Sequence, residues 1–262
     1  NEESITGSVF RYKTDTAIWE RSTDKPNPVK DIKGVVIGEK IYVPGGRTEN
    51  GEPTDVLDIY DLRTDTWEFG NSLPVEISGY ALATYEGKIY LFGGWDGETV
   101  LDVVLIYDPL MDRWDYGTPM PTARAHAGAA VANGKIFVIG GWDGNRAVDT
   151  NESYTPSRDT INEIAWVMES AFPESGYVIG VESLADILFV LGDNGVWQYS
   201  ARSGIWNFDE NKLPIEFDSK VGFTSLEGYL FVIGGIDTEN NQTRLFRYQA
   251  IYSLFIPIIN TQ

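Results

Sequence analysis

The sequence predicts an all-β protein in which one four-stranded antiparallel unit is repeated along the chain. Three observations carry that prediction. An apolar run closed by glycine recurs as IYVPGG (41–46), IYLFGG (89–94), IFVIGG (136–141), LFVLGD (188–193) and LFVIGG (230–235), with starts 48, 47, 52 and 42 residues apart. Tryptophans at Trp19, Trp67, Trp114, Trp166 and Trp206 keep the same beat. No stretch shows the 3.6-residue apolar period of a helix. A fixed period of this length marks one supersecondary unit that buries its faces only against its neighbours.

The stretch from Gly79 to Pro121 shows how one unit is built. Small and apolar residues at 79–84, then Glu86-Gly87-Lys88, then the run to Phe92 read as a hairpin around a glycine turn. Gly93-Gly94 is expected to end that strand, because glycine adopts backbone angles that side chains forbid. The loop WDGET leads to a third strand, VVLIYDP (103–109), and Asp108-Pro109 begins the next turn. A fourth strand carries Trp114, and Pro119 and Pro121 stop the chain before the next unit. Four antiparallel strands per repeat form the blade of a β-propeller. Small residues such as AHAGAAVA (125–132) suit the crowded inner strand, and Tyr60, Tyr107, Trp67 and Trp114 suit the wider outer gaps.

Composition sets the outer bounds. The 262 residues are 42% hydrophobic and 13% aromatic, ample for a packed core. Since the period runs through without a compositional break, one domain (1–262) is expected. The net charge of −19 excludes the basic footprint that nucleic acid or an anionic membrane needs. That charge serves solubility or favours a basic partner. There is no cysteine, so disulfides, thiolate metal sites and cysteine nucleophiles are excluded. No apolar run reaches membrane-spanning length. The opening NEES, without methionine, fits a processed product, so a secreted or cell-surface location is expected, with a cytoplasmic one as the alternative. Asn151-Glu-Ser and Asn241-Gln-Thr match the glycosylation acceptor pattern.

Over nearly its whole length the chain resembles the kelch-repeat family, within the galactose-oxidase-like central domain superfamily. The residues that carry the resemblance are the double glycines, Tyr60-Asp61 and Tyr107-Asp108 in third strands, Trp67 and Trp114 in fourth strands, and the segment MPTARAHAGAAVANGKIFVIGG (120–141). The repeats fall at about 28–67, 75–114, 122–166, 174–206 and 215–257. Residues 8–21 read as the outer half of a further blade. A six-bladed ring with one incomplete blade is therefore expected, with five blades plus an extra hairpin as the alternative. Two departures stand out: Gly192-Asp193 replaces a double glycine, and the fifth repeat lacks the terminal tryptophan.

The resemblance places the ligand on a rim formed by two sets of loops, those between second and third strands and those entering first strands. Rigid scaffolds carry binding on such loops. The candidates are Arg47, Trp95, Asp96, Trp142, Asp143, Asp193 and Asp237 from the first set, and Arg124, His126 and Tyr177 from the second. Trp95 and Trp142 either present flat rings to a sugar or protein, or fold back over the blade tops while Asp-Gly makes the turn. No catalytic or metal-ligating residues are assigned. His126 is the only histidine, so a copper site built on two histidines is excluded. No cofactor is expected, and calcium at the acidic loops is the weakest of the alternatives, since no EF-hand spacing is present.

The expected function is a non-catalytic module that binds a protein or glycan. The alternatives are a carbohydrate-processing enzyme similar to sialic acid mutarotases, and a structural subunit completed by strand exchange, for which a homo-oligomer is the natural form.

Overall fold

A computed structural model describes residues 5–161, 163–174, 178–209, 221–236 and 243–250. Tyr177, Asp237, Asn241 and any fourth strand of the fifth repeat lie outside the described residues. The chain is all-β. Strands β1 (Val9–Lys13) and β2 (Ile18–Ser22) pair alone as a two-stranded sheet. Four sheets of four follow. They comprise β3 (Val35–Ile37), β4 (Lys40–Pro44), β5 (Leu57–Asp61) and β6 (Thr66–Gly70), then β7 (Ala81–Tyr85), β8 (Lys88–Trp95), β9 (Val100–Asp108) and β10 (Arg113–Tyr116). The third holds β11 (Gly128–Ala132), β12 (Lys135–Ile139) and β13 (Asn151–Tyr154), the short helix α1 (Pro156–Asp159), and β14 (Trp166–Met168). The fourth holds β15 (Gly180–Leu184), β16 (Ile187–Gly192), β17 (Gly195–Ser200) and β18 (Ile205–Phe208). The last described sheet contains β19 (Val221–Leu226), β20 (Tyr229–Ile236) and β21 (Thr243–Gln249). Every sheet is antiparallel with strands in chain order, and the first strands β3, β7, β11, β15 and β19 pack successively against one another. These are propeller blades.

The local chemistry explains the strands. Glu86-Gly87 and Asn133-Gly134 take positive φ at both positions, the turn that matches strand twist in a two-residue hairpin. The small inner residues Ala81, Ala83, Ala127 and Ala129 are buried with Phe92, Val138, Tyr154 and Trp166 in one cluster. Gly93-Gly94 does not end its strand, contrary to expectation. Instead, β8 runs on to Trp95 through a bulge between Phe92 and Gly94. The glycines are needed because the next blade is so close. A Cβ on Gly93 would stand 2.2 Å from the Arg124 carbonyl oxygen, the same oxygen that accepts the Gly94 N–H at 3.0 Å.

On the outer side, successive sheets are pinned by one recurring device. The indole N–H groups of Trp67, Trp114, Trp166 and Trp206 donate to the backbone carbonyls of Thr23, Asn71, Thr118 and Ser170, at 2.9, 2.9, 2.9 and 3.0 Å. Each accepting residue lies four positions after the previous blade's tryptophan. In three of these joints a carboxylate takes the same residue's N–H: Asp65 binds Thr23 (2.9 Å), Asp112 binds Asn71 (2.7 Å) and Asp159 binds Thr118 (3.0 Å). The buried tyrosines Tyr60, Tyr107 and Tyr154 donate their hydroxyls to those carboxylates. The Tyr60 hydroxyl and the Thr23 N–H hold Asp65 below the usual carboxylate range, and the Asn71 N–H and Tyr107 hydroxyl do so for Asp112. In the fourth joint Gly204 stands in the carboxylate's place, and Tyr199 donates to Glu169 instead, at 3.3 Å.

The same register exposes one polar exception in the core. The residue six after Trp67, Trp114 and Trp166 is the buried Leu73, Met120 or Phe172, but six after Trp19 it is the buried Lys25. Lys25 Nζ lies 2.5 Å from Asp58, which is itself buried and also accepts from Asn27 at 3.1 Å. Asn151, within a glycosylation acceptor pattern, is wholly buried in β13 and donates to the Ser170 carbonyl at 3.0 Å. The folded sheet leaves no room for a glycan there.

Candidate functional site

Three adjacent repeats bring their loops together at one end of the first strands. The residue after each double glycine pairs through its backbone with the loop entering its own first strand: Arg47 with Lys30, Trp95 with Ser78, and Trp142 with Ala125. The residue that follows on the entering loop has positive φ each time, 56° at Asp31, 63° at Gly79 and 55° at His126. These three are joined blade to blade, as the Gly79 N–H donates to the Asp31 carbonyl at 2.8 Å and the His126 N–H to the Gly79 carbonyl at 2.5 Å. The backbone alone ties the mouth together, so the side chains there are free to differ.

Those side chains line a pocket of about 260 Å³ formed by Asp31, Arg47, Ser78, Trp95, Ala125, His126 and Trp142. Arg47 bridges to Asp31 at 2.5 Å and holds its guanidinium 5.8 Å from the centre of the Trp95 ring. The Arg47 Nε is buried without a hydrogen-bond partner among the described residues. Trp95 and Trp142 are half-buried and both line the pocket. His126 reaches solvent, yet the concave walls lower its pKa by desolvation, against the pull of Asp31 and with the repulsion of Arg47 and Lys33. A Cβ on Gly79 would meet the His126 ring at 2.8 Å, so the imidazole lies over that glycine.

Four sequence candidates thus meet in one place, namely Arg47, Trp95, His126 and Trp142. Asp96 and Asp143 turn away into their own loops. Asp96 accepts the N–H groups of Glu98 and Thr99 at 2.9 and 2.7 Å, and Asp143 those of Asn145 and Arg146 at 2.8 and 2.9 Å. These backbone donors hold both carboxylates below their ordinary range. Among the described residues no group of three or more acidic or histidine side chains is arranged to hold a metal. Arg124 is wholly buried beneath the rim. It forms a 2.5 Å ion pair with Glu152 and donates to the carbonyls of Thr122 and Val138, both at 3.0 Å. Asp193 sits in the tight turn between β16 and β17, where Gly192 pairs directly with Gly195, and does not line the pocket. Asp31 is the charged pocket residue that sequence reasoning missed. Its signal was its register, as it occupies the place of Gly79 and His126.

The KLHDC2/KLHL20/DRC7 Kelch-repeats domain matches residues 1–192. The chain belongs to the kelch-repeat family. Similar proteins include the Kelch repeat and BTB domain-containing protein 1 of cowpox virus, 29% identical over 101 residues, which are 38% of this chain and 18% of the viral protein. Alpha-scruin of Limulus polyphemus is 33% identical over 89 residues, 34% of this chain and 10% of scruin. The kelch chain thus spans less than a fifth of the length of these curated relatives over the matched regions.

Proposed function

We propose that this kelch domain is a non-catalytic protein-binding module whose mouth pocket anchors a peptide segment of its partner. The observation that carries the reading is the convergence of Arg47, Asp31, Trp95, Trp142 and His126 from three blades on one cavity. Half-buried tryptophans supply large rigid contact area, and arginine supplies directional donors, the combination enriched at the centres of protein interfaces. A volume of about 260 Å³ suits one or two side chains rather than a whole small-molecule substrate. The Arg47–Asp31 pair offers a donor and an acceptor side by side, the match for a peptide amide.

A glycan ligand is the second reading, favoured by the two indoles on one pocket. A displayed peptide library and a glycan array, each screened with the wild-type domain and with the Trp95→Ala and Trp142→Ala variants, separate the two. The proposal expects selected peptides whose affinity falls at least about tenfold in both variants. Glycan hits that depend on the tryptophans, with no such peptides, replace the partner class. Binding indifferent to both substitutions removes the pocket from the function.

A further inference from the structure

One lysine stands apart from its kind. Among the seven described, five are ion-paired: Lys13 with Glu20 at 2.7 Å, Lys25 with Asp58 at 2.5 Å, Lys88 with Asp108 at 3.4 Å, Lys135 with Glu169 at 3.3 Å, and Lys40 with Glu68. Lys30 has no carboxylate partner among the described residues, but it is exposed to water. Lys33 is only partly exposed, and no described carboxylate lies within ion-pairing distance of it.

Its position explains the isolation. Lys33 lies two residues beyond Asp31 on the loop that enters β3, and its main chain is fixed there. The buried Tyr80 hydroxyl lies 3.2 Å from the Lys33 carbonyl and accepts the Lys33 N–H at 3.5 Å. The Lys33 ammonium is within electrostatic reach of His126 at the mouth and of Glu182 on β15. Glu182 accepts a hydrogen bond from the Ser225 hydroxyl of β19 at 2.8 Å. Burial pushes Lys33 below the usual lysine range against the pull of Glu182, and pushes the Glu182 carboxyl above its ordinary value. Both shifts favour the uncharged forms, an amine and a carboxylic acid. An ion-paired lysine is held protonated by its carboxylate, so its five paired counterparts are the poorer nucleophiles.

We propose that Lys33 is a reactive amine that captures small aldehydes as imines, a modification site separate from the mouth pocket. The carbonyl compound must be small because Lys33 is only partly exposed. In this step the Lys33 nitrogen adds to the carbonyl carbon, and the carbonyl oxygen becomes a hydroxyl. The hydroxyl departs as water when the C=N bond forms, so both amine protons leave with the oxygen. Glu182 lends a proton to the departing hydroxyl and recovers one from nitrogen. Desolvated lysines serve as Schiff-base formers for this reason.

Reductive alkylation of the folded full chain tests the site, with limiting propionaldehyde and cyanoborohydride at neutral pH and peptide mass spectrometry as the readout. Lys33 is expected to gain a propyl group at least about threefold faster than Lys30 or any ion-paired lysine. In guanidinium, where the fold is lost, the lysines should react alike. Without cyanoborohydride no stable adduct should survive, because the imine hydrolyses. A folded-state rate no faster than that of exposed Lys30 overturns the proposal. So does a preference that persists in the unfolded chain, and an adduct that forms without the reductant overturns the imine.

Discussion

The outer joints and the channel mouth both use one residue set per repeat, but they divide the work in opposite ways. At the joints, side chains grip backbone: indole N–H groups take carbonyls and carboxylates take amides. Tyrosine, aspartate and tryptophan therefore recur there. At the mouth, backbone grips backbone, from Asp31 through Gly79 to His126, and the side chains are Asp, Gly, His and Arg, Trp, Trp. Stability lies where identity repeats. Variety lies where the backbone has already satisfied itself.

Substitutions can break that contrast. The largest effect is expected just beneath the mouth, where Glu152→Ala leaves Arg124 charged and fully buried without its partner. A loss of about 3–5 kcal/mol in denaturant unfolding is expected. A loss under about 1 kcal/mol would mean that Arg124 escapes to solvent and the rim is not rigid. At an outer joint, Trp114→Phe keeps the aromatic packing and abandons the Asn71 carbonyl. About 1–3 kcal/mol should be lost, while peptide binding at the mouth stays unchanged. If binding falls with it, the two regions are coupled.

At the mouth itself, Gly79→Ala forces a side chain into left-handed backbone against the His126 ring, and about 1–2 kcal/mol is expected. By contrast, Trp95→Ala, at a half-buried site whose backbone pairing is kept, should shift stability by less than about 1 kcal/mol while weakening binding. The smallest effect is the pH response of His126. Its folded-state pKa lies below the ordinary 6.5, so the unfolded chain takes up the proton first as pH falls. His126 therefore contributes a loss of stability that grows below that value. His126→Gln should flatten the stability curve between about pH 5 and 7. A curve left unchanged would mean that the mouth solvates the imidazole fully.

The buried pair Lys25–Asp58 offers a further contrast, since Leu73, Met120 and Phe172 fill the equivalent place. Lys25→Met combined with Asp58→Leu should be neutral or stabilising, whereas Asp58→Ala alone should be strongly destabilising. Chemical denaturation of all three proteins decides it.

Much of this architecture was legible in the chain. Periodic apolar runs closed by glycine predicted the sheets and their order, because a strand's alternation and a turn's chemistry are local properties. The strand pairing of β1 with β2 was readable for the same reason, since Tyr12 and Trp19 repeat the spacing of Tyr60 and Trp67. The purpose of the tryptophans was not. Their packing role follows from size, but the grip on Thr23, Asn71, Thr118 and Ser170 joins residues 36 to 48 positions apart. The site was half legible: Arg47, Trp95, His126 and Trp142 share a motif position and meet, whereas Arg124 shares one and is buried.

By itself the sequence determined the repeat, the strands within it and the surface rich in carboxylates, since each depends on neighbours a few residues away. Only the tertiary structure decided that Asp31 neutralises Arg47, that Asp96 and Asp143 spend their carboxylates on their own loops, and that Lys25 is buried against Asp58. Those outcomes depend on how closely one blade approaches the next, and a missing Cβ at Gly93 sets that distance in a way no local pattern records.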